Sequence, residues 1–226
     1  MIDTLHTVDQ GVASHIIGNV FWLLAVKRRA FGGRTQEQQV KALDKHMVQW
    51  YKDTKAESRV QGKLTIERVR TSGKWPKLKA KVAATRHLAA YALHLVETFG
   101  TDADGQVRAL CQLLLRFYQL LASESQFLSE GAKAELPVLG SNLAIIYSAL
   151  SAQAIERNER MWKMMPKLHM FDHLCQWQAI EVGNPRFFWT YTDEDLVGLL
   201  VECARSCHIK TVAASALFKW LHVYYQ

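Results

Sequence analysis

The chain has 226 residues, 49% hydrophobic and 22% charged, with only 4 prolines. That composition supplies a sizeable core and excludes a disordered or low-complexity chain. Apolar runs such as "NVFWLLAV" and "ALCQLLLRFYQLLA" are too short or too interrupted to span a bilayer, and no secretory leader opens the sequence. The four cysteines, Cys111, Cys175, Cys203 and Cys207, lack a disulfide framework, as expected of reduced thiols in a nuclear or cytoplasmic protein that is neither secreted nor membrane-bound. The net charge of +7 is uneven: residues 27–86 hold 17 Lys/Arg against 5 Asp/Glu, and the remainder holds 11 against 16. Such a block either attracts polyanions or is simply a solvated helix surface.

Apolar residues recur at helical spacing almost throughout. Val12, Ile16, Val20 and Leu23/Leu24 predict a first helix that ends near Lys27–Arg29, before the breaker "FGG". A second helix is expected over 36–53, followed by an exposed basic loop near 54–76 with a short helix around 64–69. The stripe resumes over 77–99 and again over 106–128. A long helix is expected from Pro137 or Ser141 to about Met165. "PKLHMFDHLCQWQ" reads as a helix, "EVGNPR" as a turn and "FFWTY" as a strand. In "TDEDL" Thr192 can cap the next helix, and a last helix covers roughly 210–224. The expectation is a mainly α chain of seven or eight helices with at most one or two short strands. It is read as a single domain, 1–226, with a C-terminal subregion over 166–226.

Gly-rich phosphate loops, HExxH, paired CxxC and GxSxG are all missing, which removes the sharpest nucleotide, zinc and acyl-transfer motifs. Looser constellations remain, one of them Cys203, Cys207 and His208 in "CARSCH", where Cys203 and Cys207 share a helix face as buried core cysteines do. Asp3, His6 and Asp9 stand at three-residue spacing near the first methionine. His169 and His173 stand one helical turn apart beside Asp172, a spacing that suits either a metal ion or two half-buried histidines. Asp193, Glu194 and Asp195 crowd a helix start, where the dipole stabilises acids by about 0.3–1 kcal/mol each, and where hard oxygen ligands can also hold Mg²⁺. Arg86 and His87 interrupt the apolar "AATRHLAAYAL", where an arginine needs an anionic partner.

In order, "DTLHTVDQGV", "KVAATRHLAAYAL", "PKLHMFDHL" and "GNPRFFWTYTDEDLVG" resemble the C-terminal part of DDE-type transposases with a ribonuclease-H-like core, nearest the CACTA-like and related eukaryotic DNA transposons. Asp3 and His6 match the Asp-x-x-His motif that follows the second catalytic aspartate in that group. Lys167, His169, His173, Gly183, Pro185, Trp189 and Glu194 match its late segment. The resemblance implies a helical insertion and C-terminal end of the core. It carries Glu194 over as the late acidic residue, with Asp193, Asp195, Asp3 and His6 as the rest of a remnant site and His87, His169, His173 and Trp189 in support. Mg²⁺ is implied only for a complete transposase, and no cofactor is expected for this chain alone.

Three functions follow as expectations. The first is a transposase-derived chain that is inactive by itself and binds DNA through Lys74, Lys77, Lys79, Lys81 and Arg86. The second is a helical protein-interaction domain that forms a homo-oligomer or pairs with a separate catalytic half. The third is a metal-dependent hydrolase built on His169, His173 and Asp193–Asp195.

Overall fold

Leu5, Val8, Val12, Ile16, Val20 and Leu24 run down a helix with almost no solvent exposure, and a helix apolar on every side has to be a central one. This is α1 (5–27), the axis of the first of two compact units, Met1–Phe188 and Trp189–Gln226. The computed structural model describes residues 1–56, 58–188 and 190–224, apart from the side chains of 191–196 and 223–224. The described residues are mainly helical, at 71% helix, and contain no strand, in agreement with the periodicity.

Around α1 pack α2 (Gln36–Asp53), α4 (Val82–Phe99), α5 (Gly105–Ser123) and α7 (166–181), while the long α6 (Glu130–Glu156) lies against α5 and α7. A four-residue α3 (Ile66–Val69) sits in the basic segment. The second unit is a pair of packed helices, α8 (Tyr191–Arg205) and α9 (Val212–Tyr224).

Helix α1 is not uniform. Leu5–Ala13 and Trp22–Lys27 are wound as π-helix on either side of an α-helical Ser14–Phe21. It stops before "FGG": Arg29 takes a left-handed φ of 54°, and the Ala30 amide reaches back to the Leu24 carbonyl at 3.0 Å, as helices commonly end. The end is tied to the α4–α5 corner by Arg28, which donates both guanidinium nitrogens to buried Asp104.

The helix expected over 106–128 ends at Ser123 and the one expected to reach about Met165 ends at Glu156, and three further differences from the sequence reading bear on the site. Helix α6 starts at Glu130 because the Ser129 side chain accepts from the Ala132 amide, and Pro137 sits inside the helix as a tolerated break. Its length and hydropathy would also allow a bilayer span, a property shared by core helices. Leu136, Leu139, Leu143 and Tyr147 are buried against protein. "FFWTY" is not a strand where it is described: Pro185–Phe187 form a 3-10 turn capped by Asn184, and Tyr191 opens α8. Thr192 therefore lies in the first turn of α8 instead of capping it.

The third difference concerns 77–81, which precedes α4 as an extended strap. Pro76 and Leu78 are buried while Lys77, Lys79 and Lys81 are exposed, the period-two pattern of an extended chain. The strap is bonded on both edges. The Lys77 amide donates to the Val69 carbonyl (2.9 Å), Leu78 to Ser14 (2.8 Å) and Lys79 to Arg68 (2.7 Å).

Candidate nucleic-acid interface

The strap can lie this close to α1 because residue 18 is glycine. A Cβ there would stand 2.6 Å from the Leu78 nitrogen and 2.7 Å from the Lys77 Cα. The crossing turns a run of alternating lysines into a row facing outward, since Leu78 is committed inward; its burial contributes about 1.5–3 kcal/mol.

A second basic segment from a distant part of the sequence joins this row. After α6 the chain turns through Asn158 and Trp162, both at positive φ. It is then pinned where the Trp162 amide donates to the Asn19 side chain at 2.9 Å and Tyr147 Oη donates to the Lys163 carbonyl at 3.0 Å. Arg160 reaches the Gly73 carbonyl at 2.7 Å, and the Lys163 ammonium lies 5.5 Å from the ring centre of Trp75, which is 39% exposed. At the start of α7, Lys167 lays its stem on Gly11 and donates to the His6 carbonyl at 2.7 Å. Segments 70–81 and 160–167 thus form one face.

The electrostatics of this face are those of like charges brought together. Burial lowers the Lys77 pKa, and Lys167 and Lys163 lower it further. Burial likewise lowers the pKa of Arg70, with Arg160 adding to the effect. The Arg70 guanidinium lies 4.5 Å from the Trp22 ring centre. Arg70, Arg160, Lys27 and Glu159 share a cleft of about 420 Å³ floored by Trp22 and Met161, and Glu159 is already paired with Lys27. Among the described residues no carboxylate pairs with Lys74, Lys77, Lys79, Lys81, Arg160 or Lys163. Arg86 is half-buried in the second turn of α4 with His87 beside it. It is the least exposed of the five cationic residues that sequence reasoning singled out.

Sequence reasoning missed Arg160, Lys163 and Lys167 as part of this face. They fall outside the 27–86 charge block, and only α1, as a shared support, brings them to it. The excess of lysine in "ERMWKMMPK" was the available signal.

The segments that resemble transposase motifs also meet. Asp3 accepts from the His6 amide (2.9 Å) and ring Nδ1 (2.6 Å). Besides the Lys167 bond to His6, the Gln178 side chain donates to the Ile2 carbonyl at 2.8 Å, and Thr4 Oγ1 donates to Pro185 at 3.4 Å. His169 and His173 share α7 with their Nε2 atoms 3.0 Å apart. Two imidazoles at that separation can grip one ion at Zn–N distances of about 2.0–2.1 Å. The described residues place no group of three or more His, Cys, Asp or Glu to complete a metal site. Trp189 lies outside the described residues, as do the side chains of Asp193, Glu194 and Asp195. Asp9 is wholly buried and accepts from the Tyr118 hydroxyl, which gives it a structural tie within the core.

Comparison with protein-family models, curated proteins and solved structures finds no match for this chain.

Proposed function

We propose that this chain is a transposase-derived, DNA-binding protein that resembles the C-terminal part of the CACTA-like DDE group and performs no strand transfer by itself. The observation that carries the DNA-binding reading is the joined face of 70–81 and 160–167, where Lys74, Lys77, Lys79, Lys81 and Lys163 have no carboxylate partner among the described residues and Trp75 is exposed beside them. Unpaired lysines exchange condensed counterions for phosphate contacts, and an exposed indole adds a sequence-tolerant contact. The junction of the Asp3–His6 and Lys167–Pro185 segments supports the family reading, since those are the stretches that resemble the transposase motifs.

Fluorescence anisotropy with a labelled duplex tests the first part. Affinity should fall steeply between low and physiological salt, and reversing Lys74, Lys77, Lys79 and Lys81 to Glu should weaken binding alike for unrelated sequences and flatten the salt slope. Binding that is absent at low salt, or indifferent to salt, overturns it. For the second part, incubation with DNA and Mg²⁺ or Mn²⁺ should leave the strands intact. Nicking that disappears in Glu194→Gln would establish a working site and overturn the inactive reading.

A protein-interaction role is the second reading, favoured by one observation. A cleft of about 770 Å³ is lined by Met1, Ile2, Trp177 and Val182, and Trp177 is 70% exposed at its rim. Light scattering that finds only a monomer at high concentration would count against self-association through it.

A further inference from the structure

His15 is the one histidine of α1's middle stretch, and two segments distant in sequence, the strap and 160–167, close over it at three points. The strap is bonded to its neighbour Ser14 through the Leu78 amide at 2.8 Å and rests on Gly18. The 160–163 turn is bonded to Asn19, whose amide nitrogen in turn donates to the His15 carbonyl at 2.7 Å. The first turn of α7 is bonded to His6 and packs on Gly11. These contacts bring Lys77, Lys163 and Lys167 near enough for their charges to act on the His15 ring; Lys167 also holds the His6 carbonyl and Lys163 stands beside Trp75. The imidazole Nδ1 beneath them is buried and has no hydrogen-bond partner among the described residues.

We infer that Lys77, Lys163 and Lys167, gathered over His15, form a discrete binding site for a single phosphate group. The inference rests on the DNA-binding reading of the same face and names what that face grips: one backbone phosphate at a fixed place, in addition to the diffuse attraction of the lysine row. Ammonium groups brought near one another repel, and a phosphate has oxygens enough to accept from all three at once.

The histidine supplies the signature. Burial, then Lys77 and Lys163, with Lys167 a smaller contributor, push its pKa down to about 4, against the Pro76 carbonyl that faces the ring and favours the charged form. At neutral pH the ring is therefore uncharged. A phosphate seated among the lysines offsets the charges that hold the proton off. Binding should draw a proton onto His15, so that Nδ1–H can donate to a phosphate oxygen, and affinity should rise as pH falls through the neutral range.

The test is an NMR titration of the full chain, labelled on histidine, with pyrophosphate and separately with a short DNA duplex. Both should move the His15 ring signals saturably toward imidazolium. Lys163→Ala should weaken pyrophosphate about tenfold, the effect of one charge-assisted hydrogen bond. Lys45→Ala, an exposed change on α2, should leave it unchanged. Pyrophosphate that moves no His15 signal, or that binds Lys163→Ala equally well, overturns the site. Duplex binding that leaves His15 unmoved also overturns it, while leaving the DNA-binding reading intact. Saturation by pyrophosphate without any duplex binding has the opposite meaning: the phosphate site stands and the DNA reading falls. A thermal melt of Lys163→Ala that matches the parent excludes unfolding as the cause of the loss.

Discussion

Asp104 shows how a single side chain can hold a corner of this protein. Burial alone would raise its pKa, but hydrogen bonds from Arg28 and Thr101 outweigh that and keep the carboxyl below its ordinary value. The sign follows directly: a depressed acid stabilises the fold above its unfolded pKa and loses that contribution as pH falls through the folded one. Asp104→Ala should cost about 1.5–3 kcal/mol, the range for a hydrogen bond to a charged group, as read by urea unfolding at neutral pH, and much less in acid, where the carboxyl is protonated anyway. An equal loss at both pH values would refute the ion-pair account. Asn184 is a second such residue. It is fully buried, donates to the Leu121, Glu124 and Ser125 carbonyls and accepts from the Arg186 amide. "GNPR" was legible as a turn, but the three carbonyls it holds lie about sixty residues away, and no local pattern encodes them.

Among the elements, the strap is the most informative. The stripe Val82, Leu88, Ala92 and Leu95/Val96 was readable as helix, and running it back to Lys77 overrode the alternation in "KLKAK", a period-two signal already present in the residues. What could not be read was the partner. An extended chain needs somewhere to send its amides, and here the acceptors are the carbonyls of Ser14, Arg68 and Val69. Gly18→Ala is the corresponding prediction. The added methyl collides with strap backbone, which has no flexible end to move aside. The change should destabilise the protein by about 1–3 kcal/mol and weaken duplex binding at physiological salt by releasing Lys77. Unchanged binding would show that the lysine row works without its support. Gly140 performs the same service for α7, since a Cβ there would meet Cys175 Cβ at 2.6 Å.

On the scale of the whole molecule, the buried hydrophobic cluster draws, among the described residues, on positions between Val8 and Ala179, all within the first unit. The first unit therefore contains its own core, and a chain truncated to 1–188 should unfold cooperatively with a melting temperature within a few degrees of the parent. A broad, non-cooperative melt would contradict this. Acid should be the weak flank of stability: His15 and His46 both have lowered pKa values, chiefly through burial. A histidine that resists protonation when folded contributes fully above its unfolded pKa of about 6.5, and that contribution is lost as pH falls toward the folded value. Stability should decline over that interval, less steeply in His15→Gln. The helical class and most elements were legible because burial writes a 3.6-residue period into the sequence. Half of the basic face was legible as a charge block. The other half was not, because which cations share a face depends on three-dimensional closure around one buried helix.

The π-wound turns at both ends of α1 give that helix an unequal tolerance for changes in length. A π turn holds one residue more per loop of hydrogen bonding than an α turn, with bonds spanning five residues instead of four. Removing one residue from Leu5–Ala13 can be absorbed by rewinding that stretch as α-helix, so that everything beyond it keeps its orientation. The same deletion within Ser14–Phe21 has no surplus to draw on, and turns the two halves of the helix about 100° relative to each other. The pins at His6 and Gly11 would then part company with those at Gly18 and Asn19. In a deletion scan across α1, soluble expression and duplex binding should survive at the ends and vanish in the middle.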